Sequence, residues 1–111
     1  MKLLSLLIIT FFTLKVAAQK KVETVQIQTS AECGMCKDRL EEKLNYTKGI
    51  VFAELHVESK ILTVRFKTKK ISLDQIKNIV SQIGYDADEV KAIPEAVQKL
   101  SKCCQPGGMG N

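Results

Sequence analysis

The amino-acid sequence points to an α+β sandwich: one antiparallel sheet with two helices on one face. Three observations carry that expectation. Residues 22–30, 50–57 and 61–66 alternate apolar and polar positions with period two, the mark of strands buried on one side. Residues 36–46 and 72–85 repeat apolar positions at helical spacing. The order is strand, helix, strand, strand, helix, and it leaves room for one more short strand at about 87–92.

In "VETVQIQTS" (22–30), Val25, Ile27 and Thr29 alternate with Thr24, Gln26 and Gln28. From Cys36 the period changes. Leu40 and Leu44 recur four apart among Lys37, Asp38, Arg39, Glu41, Glu42 and Lys43, so a helix runs to about Tyr46, with Gly49 as its stop signal. "IVFAELHV" (50–57) sets Val51, Ala53, Leu55 and Val57 on one face, and Phe52, Glu54 and His56 on the other. After "ESK" at 58–60, "ILTVRF" sets Leu62, Val64 and Phe66 on one face, and the pair reads as a hairpin. Ser72 with Gln75 three residues on forms a capping box, and Leu73, Ile76, Ile79, Val80 and Ile83 make the apolar stripe of a helix that Gly84 ends. With the strand at 87–92 the order is β-α-β-β-α-β, a ferredoxin-like arrangement. Its connections bring the loop at 30–36, the 58–60 turn and Gly84-Tyr85 to one end, while the last strand leaves at the other.

The 111 residues carry 17 Lys and Arg against 12 Asp and Glu. "MKLLSLLIITFFTLKVAAQ" begins with basic Lys2, runs apolar from Leu3 to Leu14 and has small residues at Val16 and Ala18. It reads as a secretory signal peptide, residues 1–18. Its apolar run of twelve residues is short of the roughly 20 a spanning helix needs. A periplasmic or secreted protein is therefore expected, with no stable membrane insertion after cleavage. The remaining chain holds 15 basic and 12 acidic residues, mixed in sign and with only two arginines, which gives no footprint for nucleic acid. Residues 19–92 suffice for one small domain, followed by a tail at 93–111.

The four cysteines form two tight pairs, Cys33/Cys36 in "SAECGMCK" and Cys103/Cys104 in the tail. Pairs this close are poor staples, because the entropy a disulfide removes grows with loop length. A CxxC suits a redox disulfide, part of a zinc site or a two-thiolate claw for a soft ion. Cys36 lies at a helix start, where unpaired N–H groups and the helix dipole favour negative sulfur, and Gly34 lets the loop turn both sulfurs to one point. Two thiolates on an exposed loop suit Cu(I), and the same sulfurs accept Hg(II); Zn(II) wants four donors. A thioredoxin-like site needs a larger sheet and a proline facing the CxxC, and the only prolines are Pro94 and Pro106. A thiol-disulfide oxidoreductase is the alternative function, and inert or oxidised scaffold cysteines a third.

A strand, then CxxC opening a helix, then "GI" before a strand and "IGYDA" after the second helix resembles the heavy-metal-associated domain family over roughly 23–92. The resemblance implies a non-enzymatic, monomeric metal-binding module. Cys33 and Cys36 are its ligands, Cu(I) is the favoured ion, and Hg(II), Zn(II) or Cd(II) are alternatives. It also implies a metal-transporting ATPase or another metal-handling protein as partner. The motif departs from the family's G-M-x-C-x-x-C: Ser30 stands for the glycine, Ala31 for the methionine, and Glu32 precedes the first cysteine. In the family an acidic residue there accompanies divalent ions, which makes Glu32 a candidate third ligand. Tyr85 matches a residue that packs near the metal loop. His56, by strand parity, belongs to the sheet face away from the helices, and Lys67, Lys69 and Lys70 to a solvated strand end.

In the tail, Pro94 opens a short helix whose stripe of Ile93, Val97 and Leu100 is expected to cover the open sheet face, including Phe52. Cys103 and Cys104 form either a vicinal disulfide or additional soft ligands, together with Met109. With the last strand ending at the far pole, the tail would have to climb a strand length to reach the CxxC.

Overall fold

The computed structural model describes residues 21–100 and 105. The expected leader and all four residues Cys103, Cys104, Met109 and Asn111 lie outside the described residues. Strands β1 (Val22–Gln28), β2 (Ile50–His56) and β3 (Ile61–Lys67) form an antiparallel sheet in the order β1-β3-β2. Helix α1 (Gly34–Asn45) connects β1 to β2, α2 (Leu73–Ile83) follows β3, and α3 (Pro94–Lys99) follows a turn region. This is the ferredoxin-like layout. Ile27, Ala53, Leu55, Leu62, Val64 and Phe66 from the sheet bury against Leu40 and Leu44 of α1 and Ile76 and Val80 of α2.

The local signals act as written in the chain. Ser72 and Gln75 form the complete capping box, with Gln75 N–H donating to Ser72 Oγ and Ser72 N–H to the Gln75 side chain. Gly84 caps the C-terminus of α2 at φ 123°, a left-handed conformation that side chains rarely adopt. The 58–60 turn closes without glycine because Lys60 itself takes φ 62°, while its N–H donates to His56 O. His56 and Glu54 face outward, as parity requires.

Side chains of α1 seal the free edge of β2. Asn45 exchanges two hydrogen bonds with the Ala53 backbone, at 2.9 and 3.1 Å. Glu41 accepts from Leu55 N–H at 2.8 Å, and Lys37 donates to Leu55 O at 3.1 Å. These bonds mimic a neighbouring strand and hold α1 along β2, which sets the position of Cys36 at its first turn.

Four expectations fail. No strand forms at 87–92; Ala87 makes isolated bridges to Thr29 and Val90. Ala87 and Val90 close a turn on each other at 2.8–2.9 Å through Asp88 at φ 52°, and the Asp88 carboxylate takes the Gln28 N–H that a strand would have taken. The chain therefore does not leave at the far pole. Ser81 Oγ donates to Lys91 O and Ile93 N–H donates to Ser81 O, which bind it to α2. Consequently α3 packs on α2 rather than on the sheet, Leu100 is buried against Gly84, and Phe52 stays 40% exposed. Finally, Val51 is exposed because the β2–β3 register slips between Ile50 and Phe52.

Candidate metal centre

The CxxC begins where β1 ends. Thr29 anchors that end to the hairpin turn, its N–H and Oγ both donating to Lys60 O at 2.9 and 2.7 Å. Ser30 Oγ accepts from Asp86 N–H at 2.9 Å, tying the loop to the segment after α2. Ala31, in the position of the family's methionine, is fully buried and donates its N–H to Thr29 Oγ. The 30–36 loop, the hairpin turn and Gly84-Tyr85 thus share one pole, as the connections require.

Cys33 is the N-cap of α1, in extended conformation (φ −139°, ψ 170°), and the helix starts at Gly34, two residues earlier than its apolar pattern suggests. Cys36 is then the third helical residue. Its Sγ lies 3.1 Å from that of Cys33, well beyond the roughly 2.05 Å of a disulfide. The first turn holds no acidic residue to compete for the helix dipole. Lys37, the next residue, has its ammonium pKa raised chiefly by its hydrogen bond to Glu41, against burial, which lowers it.

The thiols are not exposed, contrary to expectation. Cys36 is fully buried and Cys33 is 8% exposed, both within the apolar core cluster. The helix start packs down because Cys36 lies one turn ahead of Leu40 on the buried stripe. Met35, 52% exposed, and exposed Gly34 form the solvent side of the motif. Of the two sulfur-bearing residues, only Cys33 keeps any exposure.

Tyr85 is fully buried in the segment adjoining the loop, consistent with packing support for the loop. Glu32 forms an ion pair with Lys60 at 3.6 Å. Among the described residues no group of three or more His, Cys, Asp and Glu side chains is placed to hold a metal ion. What the described site offers is a two-sulfur donor set. Leu100 packs against Gly84 at the pole of the CxxC, and the Gln105 amide donates to Leu100 O at 3.0 Å; Cys103 and Cys104 lie outside the described residues.

Sequence reasoning missed the roles of Ser30, Lys60 and Asp86, which hold this pole together, and of Glu41 and Asn45, which fix α1 along β2. Their partners lie far off in sequence, and a single polar residue carries no periodic signal. Lys77 was also missed. At the edge of the apolar stripe of α2, one turn after Leu73, it is buried and ion-pairs with Asp88 at 3.4 Å and Glu89 at 2.9 Å.

The described site is a buried dithiol at a helix N-terminus, on one pole of a ferredoxin-like sandwich. The model of the heavy-metal-associated domain matches residues 24–86, more than half of the chain, and the protein belongs to that family. Copper chaperone CopZ of Staphylococcus aureus (strain bovine RF122 / ET3-1) is 33% identical over 54 residues, 49% of this chain and 79% of that protein. Among solved structures, a CopZ metallochaperone is 26% identical with a TM-score of 0.56, covering 59% of this chain and 98% of its own. Oxidized MerP from Ralstonia metallidurans CH34 shares the fold at 18% identity and a TM-score of 0.57, over 60% of this chain and 94% of its own.

Proposed function

We propose that the protein is an exported carrier of a soft metal ion, Cu(I) in preference to Hg(II), Zn(II) or Cd(II), which it delivers or sequesters through Cys33 and Cys36. The observation that carries this reading is the pair of sulfurs 3.1 Å apart at the start of α1, with no third His, Cys, Asp or Glu side chain gathered beside them among the described residues. Cu(I) is content with two soft ligands, whereas Zn(II) in structural sites takes four. Similarity to copper chaperones supports the same choice. It is also the basis for reading the protein as a non-enzyme.

Transfer proceeds by ligand exchange without redox change. A partner thiolate bonds to the ion on its open side, the bond to Cys33 breaks, and Cys36 releases last. The order follows burial: Cys33 keeps some exposure and Cys36 none. The partner is a metal-transporting ATPase or another metal-handling protein. In support, the N-terminal domain of a potential copper-translocating P-type ATPase from Bacillus subtilis, solved Cu(I)-loaded, is 25% identical with a TM-score of 0.57. Export rests on residues 1–18 as leader, with the protein acting in the periplasm or outside the cell.

Two sets of donors stand in reserve for ions of higher coordination number. Glu32 has to leave Lys60, a partly exposed pairing worth about 0–1 kcal/mol. Cys103 and Cys104, with Met109, supply further sulfur from the tail. Native mass spectrometry of reduced protein under anaerobic competition between Cu(I), Zn(II) and Hg(II) tests the reading. One soft ion per chain, lost on Cys33→Ser, is expected. Apo protein that instead reduces insulin would favour the oxidoreductase.

A further inference from the structure

The pole opposite the thiols has a character that metal carriage does not use. Three separate chain segments converge there, each bringing lysine. Lys21 O accepts from Thr68 N–H at 3.0 Å, and Gly49 O accepts from Lys67 N–H at 2.8 Å. Gly49 also packs against Lys70 and Ile71, so that a Cβ on it would lie 3.1 Å from Lys70 Cβ. Lys21, Lys48, Lys67, Lys69 and Lys70 are thereby gathered at one end, and all five are exposed. Four of them line a shallow depression around Val22.

These lysines differ from those of the metal half. Lys37, Lys60, Lys77 and Lys91 each have a carboxylate within 4 Å. Among the described residues the five at the far pole have none. The carboxylates Glu32, Asp86, Asp88 and Glu89 sit at or near the thiol pole. Exposed Glu23 and Asp74 lie nearer these lysines, so the far pole keeps an excess of positive charge while the thiol pole is mixed in sign.

We propose that this basic pole docks the protein on an anionic phospholipid surface, with the CxxC facing away from it. One feature favours a lipid surface over an acidic protein. The lysines flank an apolar depression at Val22 rather than a polar pocket, which suits lysine stems lying on headgroups. β1 spans seven residues between the poles, about 20 Å at the usual rise, which leaves the thiols clear of the headgroups. A carrier held this way offers its cargo to aqueous partners.

The test is vesicle co-sedimentation of residues 19–111 at low and high salt. The match covers 98% of a solved CopZ metallochaperone, so the domain without a leader is a unit that folds there. Each lysine near an anionic leaflet raises partitioning about fivefold, and salt screens the effect within a Debye length. Salt-sensitive binding to equimolar phosphatidylglycerol–phosphatidylcholine vesicles is expected, with none to phosphatidylcholine alone. Replacing Lys67, Lys69 and Lys70 by Gln should lower it roughly a hundredfold. Replacing Arg39, Lys91 and Lys99 by Gln, the same change of charge elsewhere, should leave most of it. Equal loss in both variants would overturn the proposal, as would binding to polyglutamate but not to vesicles.

Discussion

Gly34→Ala tests whether the claw is preformed. Gly34 occupies the first helical position of α1 and is not among the positive-φ glycines. A Cβ built on it meets nothing within 4 Å. Glycine there is unneeded by the described conformation, and alanine removes only freedom of the unfolded chain. Such a change stabilises by about 0.4–1 kcal/mol. In a domain of this size each kcal/mol moves Tm by about 4–8 °C, so a rise of about 2–8 °C is expected. Metal loading has its own geometric demand. With metal–sulfur bonds of about 2.3 Å, sulfurs 3.1 Å apart subtend about 85° at the ion; a tetrahedral angle needs about 3.8 Å and a linear one about 4.6 Å. Rotation of the Cys33 side chain at the N-cap can supply that spread without moving Gly34. Thermal unfolding by circular dichroism, with Cu(I) affinity by anaerobic competition, should therefore show a higher Tm and unchanged affinity. A lower Tm, or a tenfold loss of affinity, would mean that the backbone at residue 34 rearranges on binding.

Cys33→Ser and Cys36→Ser should each lower Cu(I) affinity by orders of magnitude, but differ in stability. Burying a hydroxyl in place of fully buried Cys36 costs about 1–3 kcal/mol, visible in urea denaturation, and Cys33 costs less; equal stability losses would contradict the burial difference. Glu32→Thr should weaken Zn(II) or Cd(II) in isothermal titration and leave Cu(I) nearly untouched, whereas equal loss for both would indicate a general charge effect. Truncation after Leu100 should lower Zn(II) or Cd(II) affinity with Cu(I) preserved; unchanged affinities would separate the tail cysteines from the site. The Lys77–Glu89 clamp gives a pH signature. Hydrogen bonding from Lys77 lowers the Glu89 pKa, so its contribution is full above the ordinary carboxylate range and lost as pH falls through the lowered value. Hydrogen bonding to Glu89 raises that of Lys77, so on the alkaline side the clamp is lost only as pH rises through the raised value. NMR shifts of the Val90 amide should follow the acid-side transition, and Lys77→Met should abolish it.

The elements with internal rhythm were legible in the chain. The stripe from Leu73 to Ile83 with its Ser72–Gln75 box located α2, and alternation in β1 and β3 located the sheet. Cys33 and Cys36 stood out because their spacing is itself chemical. What was not legible depends on single polar contacts across long separations. Nothing local about Asp88 says that its carboxylate will take the Gln28 N–H and leave the final strand as one bridge. Nothing local about Ser81 says that it will hold Lys91 and Ile93 and so keep α3 beside α2. The burial of the thiols is not legible for a related reason: the spacing places Cys36 at a helix start but not on its buried face, while the fold makes it the first rung of the stripe continued by Leu40 and Leu44.

Copper X-ray absorption on residues 19–100, loaded anaerobically with Cu(I), bears most directly on the central claim. With the tail cysteines removed, the expected result is a first shell of two sulfurs and no oxygen or nitrogen, abolished by Cys33→Ser. Copper held by oxygen or nitrogen donors, or no copper retained by the wild-type sequence, would contradict a two-thiolate carrier.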